Sequence, residues 1–263
     1  MLKDLIYVYC LTRNPTGTGT GLTAVAPETL RFGDFYVVIK YVAESEFSEE
    51  NLKRNLSNLD WLESNAREHI SIISKVMDFT TAIPFKFGTI YNTIESLGQF
   101  ISVYSGSLNE NFDYIGEKEE WSVKIYCDRK ALSEQIDELS AEAADLEKQI
   151  MASSPGKAFL LKRKKQDLIE NEMDRICKQY GQNYFNEFRA LSEASGLNNL
   201  LPKDYTGRTD TMILNATFLV HKNKADTFVH TAEILREKGG NSGFCIEATG
   251  PWPPFSFISI KEK

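Results

Sequence analysis

The sequence predicts a mixed α+β protein of two domains, the second of which is a ferredoxin-like sandwich with an inserted antiparallel helical hairpin. The chain of 263 residues is long for one small domain. Strand-like runs interleave with helical runs, and one helical run carries a heptad seam that predicts a coiled-coil arm. We expect an N-terminal α+β domain over 1–115, a C-terminal domain over 116–263 and an arm over about 129–196.

Composition excludes several classes of protein. The net charge of −7 argues against a general nucleic-acid binder, which needs a basic face to displace counterions. The N-terminus lacks the features of a signal peptide, and no apolar run approaches the ~20 residues that span a bilayer, so we expect a cytoplasmic protein. The cysteines are far apart in sequence, which predicts reduced core thiols and neither a metal site nor a cofactor. They are Cys10, Cys127, Cys177 and Cys245, three in predicted strands and one in a predicted helix.

The predicted first domain begins with two strands, over 5–11 and 35–42, which are rich in β-branched and aromatic residues. The glycine-rich run 16–21 between them is interpreted as a flexible loop, because a phosphate-binding loop needs a helix after it and a strand follows here. A capped helix starts at Ser48, and a longer helix carries Trp61 and His69 two turns apart. An extended segment over 82–90 and a helix over 93–108 complete the domain.

The predicted second domain follows a polar linker over 109–120 and opens with a strand over 121–127. The next helix has an apolar seam at spacings of four and three residues, and it needs a partner helix to cover that seam. The seam residues are Leu132, Ile136, Leu139, Ala143, Leu146 and Ile150. A break at 153–156 and a second helix over 157–195 predict an antiparallel hairpin. Its register predicts the charge pairs Glu147 with Lys162 and Asp145 with Lys164.

Towards the end of the chain, the sequence pattern predicts a strand over 212–220, a helix over 224–238 and two strands, over 244–248 and 255–260. The last two strands are joined by Gly-Pro-Trp-Pro-Pro at 250–254, a rigid corner because three prolines restrict the backbone. The resulting element order departs from the standard ferredoxin-like order. Two roles stay open for Trp252: an aromatic that fills the core of the corner, or a surface contact for a partner.

The candidates for a catalytic histidine are His69, His221 and His230, and two interpretations of His69 are open. It is either a packed, hydrogen-bonded histidine or a catalytic group, although its neighbours Arg67 and Glu68 point away from it on a helix. No nucleophile signature or paired carboxylates accompany it, so we expect no catalytic residues. Phe85 and Phe87 are predicted to face the core on one side of a strand, which leaves Lys86 exposed on the other side.

Several of these motifs together resemble the gas vesicle protein F/L family over nearly the whole chain. They are the opening Tyr7-Val8-Tyr9, Trp61 with His69, Pro84-Phe85-Lys86-Phe87-Gly88-Thr89 and Gly250-Pro251-Trp252-Pro253-Pro254, of which the last is the most specific. Two positions depart from the family pattern. Lys86 stands where arginine is usual, which removes a bidentate fork, and Phe255 stands where tyrosine is frequent.

The resemblance implies an accessory role in building gas vesicles, without catalysis. It implies binding to the small hydrophobic shell subunit, help in nucleation, contact with other accessory proteins and, in some members, a place at the gas-facing surface. It also implies two α+β domains, the second a modified ferredoxin fold with a helical arm. The positions carried over as candidate binding or family-motif residues are Trp61, His69, Pro84, Lys86, Gly88, Gly250, Pro251, Trp252, Pro253 and Pro254. The alternatives are a ferredoxin-like regulator that binds a small molecule and an enzyme of that fold, neither of which a sequence feature favours.

Overall fold

The computed structural model describes residues 4–15, 27–240 and 243–261, and it divides the chain into two compact units. Unit 1 contains the residues up to Glu120 together with those from Pro251 onwards. Unit 2 contains Trp121–Gly250. The last segment of the chain, which the sequence placed in the second domain, thus belongs with the first unit. The glycine-rich run at 16–21 lies outside the described residues.

Unit 1 is built on a sheet whose described strand pairs are antiparallel, with β1 in its interior. Its strands are β1 (Asp4–Thr12), β2 (Glu28–Phe32), β3 (Phe35–Ala43), β4 (Ala82–Pro84) and β5 (Ile90–Tyr91). The order is β2-β3-β1-β4, and β5 also pairs with β1. β1 is buried on both faces from Leu5 to Thr12, which explains why it reads as a continuous apolar run rather than an alternating one.

Four helices belong to the described part of unit 1, and three have side-chain caps. They are α1 (Glu44–Phe47), α2 (Glu49–Asn55), α3 (Leu59–Met77) and α4 (Ile94–Ile115). Ser48, Asn58 and Thr93 accept hydrogen bonds from free N–H groups at the starts of α2, α3 and α4. α4 continues to Ile115, whereas the sequence predicted a linker from 109. Asn111, Phe112 and Ile115 continue its buried stripe at helical spacing within that polar stretch.

Two cores lie on the two faces of the sheet of unit 1. Ile6 and Val8 point to the face covered by α4, while Leu5, Tyr7 and Tyr9 point to the face covered by α3. Phe85 lies in the α4 core and Phe87 packs on the α3 core, so the prediction that both face one side is wrong. The reason is that β4 ends at Pro84 and a turn follows, which breaks the two-residue alternation.

Unit 2 contains a second sheet. Its strands are β6 (Lys118–Cys127), which enters from unit 1, β7 (Ala194–Leu197), β8 (Thr211–His221) and β9 (Phe244–Trp252). Their order is β7-β8-β6-β9. α8 (Lys203–Thr206) lies between β7 and β8, and α9 (Ala225–Gly240) lies between β8 and β9. The sequence missed β7, because Ala-Ser-Gly-Leu carries no β-branched or aromatic residue.

The arm of unit 2 consists of α5 (Arg129–Leu139), α6 (Ala141–Met151) and α7 (Pro155–Ala190). The predicted antiparallel return is present, but the break covers 152–154 rather than 153–156, because α7 begins at Pro155. The first helix is also not continuous. It is interrupted at Ser140, whose hydroxyl accepts from Ala143 N and caps α6. The seam positions whose side chains the structure describes are buried: Leu132, Ile136, Ala143, Leu146 and Ile150.

The interruption at Ser140 also changes the charge pairs of the arm. Lys165 Nζ lies 2.6 Å from Asp137 Oδ1 and 2.9 Å from Glu147 Oε2. The pKa of Lys165 is raised by its hydrogen bonds to Asp137 and Glu147. The predicted pairs of Glu147 with Lys162 and of Asp145 with Lys164 are therefore wrong. Because the helix is interrupted at Ser140, Asp137 of α5 and Glu147 of α6 both reach Lys165, which lies nearer the base of the arm.

The cysteines occupy the predicted types of element. Cys10, Cys127 and Cys245 lie in β1, β6 and β9, and Cys177 lies in α7. All are free thiols, and Cys245 alone of these four is not fully buried. None of the described helices has the length and apolar character needed to cross a membrane.

The C-terminal segment forms a 3-10 turn at Phe255–Phe257 and then an extended stretch, not the predicted strand. Its backbone pairs with side chains instead of a strand. Ser259 N donates to Asn111 Oδ1 at 3.0 Å, and Asn111 Nδ2 donates back to Ser259 O at 2.9 Å. Lys261 N donates to Ser107 Oγ at 3.1 Å. Ile258 and Ile260, two residues apart, both pack on the α4 core. The alternating pattern therefore comes from packing on this core, without strand-to-strand hydrogen bonds.

Asn111→Ala tests this attachment. The substitution removes both hydrogen bonds to Ser259 and leaves its partly buried N–H without its partner, while Ser259 O keeps the hydrogen bond from Ser107 Oγ. The lost partner costs about 1–3 kcal/mol. We expect a lower free energy of unfolding and faster hydrogen exchange over 255–261. Denaturant titration and exchange mass spectrometry measure the two effects. Asn186→Ala, at an exposed helical asparagine that accepts from Gln182, is the control and changes neither. Unchanged exchange in Asn111→Ala contradicts the assignment.

Candidate functional site

His69 lies at the centre of unit 1 and is 1% exposed. Its Nε2 is 3.0 Å from the carbonyl oxygen of Phe85, and its Nδ1 is 2.9 Å from the hydroxyl of Tyr7. A carbonyl only accepts, so Nε2 carries the proton and Nδ1 accepts from Tyr7. The imidazole therefore joins α3 to β1 and to the loop after β4.

The Tyr7 hydroxyl receives a second hydrogen bond, from Gly88 N at 3.2 Å. Gly88 has φ +77°, a conformation that favours glycine, and a Cβ there would lie 3.3 Å from Leu52 Cδ2. The Pro-Phe-Lys-Phe-Gly-Thr loop is thus held at two points, by His69 through Phe85 and by Tyr7 through Gly88.

Burial determines the protonation of this pair. It lowers the pKa of His69, partly offset by the hydrogen bond to the Phe85 carbonyl. Burial also raises the pKa of Tyr7, partly offset by the Gly88 N–H. Both groups are neutral near pH 7. His69 is thus a packed histidine with both ring nitrogens hydrogen-bonded.

Aromatic rings surround the imidazole. The ring of Tyr9 lies 5.6 Å from it, that of Phe87 lies 5.7 Å away edge-on, and that of Phe255 stacks at 6.2 Å. Trp61 joins the same group through Phe87, at 6.3 Å between ring centroids. The shared side of α3 that the sequence predicted for Trp61 and His69 therefore faces one aromatic cluster.

The outer edge of this cluster is polar. Trp61 Nε1 donates to Glu46 Oε1 at 2.6 Å. Tyr9 donates to Glu68 Oε1 at 3.1 Å, and the same oxygen lies 2.8 Å from Lys40 Nζ. These bonds satisfy the polar atoms of side chains whose rings are in the core.

A groove of about 420 Å³ opens beside the loop, on the α4 face of the sheet. Its aromatic members include Tyr91, Phe100 and Tyr104, with Phe100 and Tyr104 only 4.7 Å apart. Lys86 is exposed and lies at the same groove, as the sequence predicted for its side chain. The full lining is Pro84, Phe85, Lys86, Thr89, Tyr91, Phe100, Tyr104, Phe255, Ile258 and Ile260.

Sequence reasoning missed the contribution of α4 to this groove. The sequence pattern that could have indicated it is the spacing of Phe100 and Tyr104, which are one helical turn apart. In the structure both side chains are only partly buried. An aromatic pair at this spacing stands on one side of a helix, but the sequence does not show whether other residues cover it.

The proline segment leads directly into a groove residue, Phe255, and leaves Trp252 at the surface. Pro253 and Pro254 are buried, and the following turn places Phe255 on both His69 and the groove. Trp252 is 41% exposed, so its interpretation as a core aromatic is wrong. Pro251 is exposed beside it, and Gly250 has φ +153°. The prolines fix the direction in which the last residues enter unit 1.

The sequence profile of the gas vesicle synthesis protein GvpL/GvpF family matches residues 5–259 of this chain. The chain belongs to the GvpL/GvpF family. It is 26% identical to gas vesicle protein L of Streptomyces sp. (strain CB03234), an alignment that covers 98% of this chain and 94% of that protein. It is also 26% identical to gas vesicle protein F of Microcystis aeruginosa (strain PCC 7806), over 73% of this chain and 76% of that protein.

Solved structures of this family have the same fold. The crystal structure of GvpF from Anabaena sp. PCC7120 matches with a TM-score of 0.72 at 19% identity, covering 98% of this chain and 97% of that one. GvpF from Microcystis aeruginosa matches with a TM-score of 0.67 at 20% identity, covering 98% and 99%. The resemblance drawn from the motifs is confirmed, and the mixed helix-and-sheet architecture is shared with these structures.

His69→Gln tests the buried imidazole through pH. Above its ordinary pKa of 6.5 histidine is neutral in both the folded and unfolded states. Below that value the unfolded state binds a proton that the folded state resists, so the wild type loses stability as pH falls. We expect the variant to be about 1–3 kcal/mol less stable near pH 7, since a buried hydrogen-bonding group is replaced.

We further expect the gap between the wild type and His69→Gln to shrink as pH falls below 6.5. Denaturant unfolding at a series of pH values measures it. His230→Gln is the control, since His230 is an exposed helical histidine. A gap that stays constant with pH would show that His69 is not held neutral.

Proposed function

We propose that this protein is a non-enzymatic accessory factor of gas vesicle assembly that binds the small hydrophobic shell subunit and assists vesicle nucleation. Membership of the GvpL/GvpF family supports the gas vesicle context. The observation that carries the binding role is the aromatic groove of unit 1, which is open to solvent and has Lys86 at it.

The physical need for such a factor comes from the shell subunit. A small protein with a large apolar surface aggregates unless that surface is covered before assembly. The groove presents Tyr91, Phe100 and Tyr104, side chains that bury large apolar areas at little cost in conformational entropy. Lys86 adds a cation that pairs with a carboxylate or carbonyl of the bound segment.

The groove is held in shape by the contacts around His69. The loop that bears Lys86 is fixed by the hydrogen bonds from His69 and to Tyr7, and the opposite wall is fixed by the bonds from Asn111 to Ser259. A wall that is ordered before binding loses little entropy on binding, which favours affinity. The candidate residues His69, Pro84 and Gly88 thus serve binding by positioning, and Lys86 serves it by contact.

We also propose that unit 2 is a modified ferredoxin-like sandwich. With the arm counted as one helical element and the one-turn α8 left out, its order is β-α-β-β-α-β. Numbered within the unit, its sheet has the strand order 2-3-1-4, the arrangement of that fold read from one edge. The arm replaces the first helix and extends beyond it.

The site of action follows from the same role. We place the protein in the cytoplasm during assembly and at the growing vesicle, where contacts with other accessory proteins and with the gas-facing surface of the shell become available. Trp252 and Pro251 are exposed next to the groove-lining segment and are the family-motif residues that we assign to such contacts.

Tyr104→Ser and Lys86→Glu test the groove in a pulldown with the shell subunit. Each removes one contact at the groove, and we expect binding to weaken about tenfold, the effect of losing roughly 1.4 kcal/mol. Vesicle yield in a complementation assay is expected to fall in parallel.

The matched controls are Tyr114→Ser, at a tyrosine of the same helix that is 45% exposed, and Lys222→Glu, at an exposed lysine of unit 2. Both should bind as the wild type does. Equal binding by the groove variants removes the groove from the proposal, and no binding by the intact protein removes the function itself.

A further inference from the structure

The end of the arm, residues 148–164, carries an exposed apolar patch. Met151 is 79% exposed, Phe159 is 69% exposed and Leu160 is 66% exposed. Phe159 and Leu160 lie in the first two turns of α7, directly after the turn between α6 and α7. We call residues 148–164 the arm tip. Large side chains exposed together on a structured element mark an interaction surface.

The arm tip is also uniformly basic. It has five cations and no acid, on a chain whose net charge is −7. All five are exposed, and within the described part of the chain none of them forms an ion pair. Arg163 and Lys164 stand one helical turn after Phe159 and Leu160, so charge borders the apolar patch. The five are Lys148, Lys157, Lys162, Arg163 and Lys164.

A groove of about 380 Å³ lies further down the same arm, where Ser140 separates α5 from α6. We call it the arm groove. Its apolar lining consists of Leu132, Ile136, Leu168 and Ile176. Its rim includes Glu142 and also Glu172, which pairs with Arg175 of the same helix at 2.5 Å. The surrounding stretch 131–147 contains six acids and no cation.

We propose that the arm tip of one copy docks in the arm groove of a second copy. The two surfaces match in both respects, since an apolar patch bordered by cations meets an apolar groove bordered by carboxylates. The chain's own tip does not reach its own groove. Leu160 and Glu172 lie on one continuous helix, about 18 Å apart at roughly 1.5 Å per residue.

Tip and groove are different surfaces, so the contact is isologous only where two arms make it reciprocally and is heterologous otherwise. Two arms that lie antiparallel make it twice and close as a dimer, and arms that do not close continue as a chain. An anionic lipid surface would also attract the tip, but it would leave the apolar groove, with Glu142 at its rim, uncovered. The groove therefore favours a second copy as the occupant.

Charge reversal tests the pairing between tip and groove. The tip variant carries Arg163→Glu with Lys164→Glu, and the groove variant carries Glu142→Lys with Glu172→Lys. Each variant alone opposes like charges at the substituted positions, so self-association of the full chain is expected to weaken at least about tenfold, equivalent to 1.4 kcal/mol. Mixed in equal amounts, the two variants regain complementary charges at both contacts and are expected to associate again.

Sedimentation velocity over a concentration series, in low and in high salt, measures these states. The wild type is expected to associate with rising concentration, and less so in high salt, since exposed charges are screened. Phe159→Ser with Leu160→Ser should abolish association without changing the melting temperature, because both side chains are exposed. Leu197→Ser with Leu200→Ser, at two exposed leucines outside the arm, is the matched control and leaves association unchanged.

Three results would overturn the proposal. They are a wild type that stays monomeric at every concentration in low salt, a tip variant that associates as the wild type does, and a variant mixture that fails to associate. Binding of the tip to anionic vesicles by a chain that remains monomeric would assign the tip to lipid instead.

Discussion

The hydrogen bonds of one buried histidine organise unit 1. His69 belongs to a helix, Tyr7 to the central strand and Phe85 to the loop that follows β4, and the imidazole joins all three. Each bond is worth only about 1 kcal/mol net, but a buried polar group without its partner costs more than that. The arrangement therefore specifies one geometry for the loop, because any other leaves a nitrogen, a hydroxyl or a carbonyl unpaired in an apolar surrounding.

That specification extends outward to the surface. The loop held by His69 forms one wall of the aromatic groove, and Phe255, stacked on the same imidazole, belongs to both the buried cluster and the groove. The buried His69 thereby influences the shape of the aromatic groove at the protein surface. This explains why motifs spread along the sequence, from Tyr7 to Phe255 after the proline segment, meet in one place.

The sequence predicted the parts of the fold that local pattern determines. The strands around Tyr7 and Val38, the helix with Trp61 and His69 and the antiparallel return of the arm all follow from periodicity and capping. The failures have a common cause in tertiary contacts. β7 exists because β8 offers it hydrogen bonds, and Phe255–Ile260 lacks a ladder because Asn111 and Ser107 supply its partners. Neither partner is visible from the segment itself.

As with the fold, the sequence predicted only part of the candidate site. The loop from Pro84 to Thr89 and His69 were identified, but the pattern could not tell that a turn after Pro84 sends Phe85 and Phe87 to opposite faces. For Phe100 and Tyr104 on α4, the sequence predicted only that they lie in a helix. Two aromatic rings one helical turn apart can be buried in the core or can line a groove, depending on which residues cover them. Here that depends on where the C-terminal segment packs.

The placement of the last residues has a consequence for biogenesis. Unit 2 is a contiguous insertion, while unit 1 needs residues from both ends of the chain. During translation, the whole of unit 2 leaves the ribosome before Glu120 can meet Ser256 and before Asn111 can bind Ser259. The aromatic groove is thus completed only after the whole of unit 2 has been synthesised, so a nascent chain that has not yet reached Phe255 lacks the wall formed by Phe255, Ile258 and Ile260.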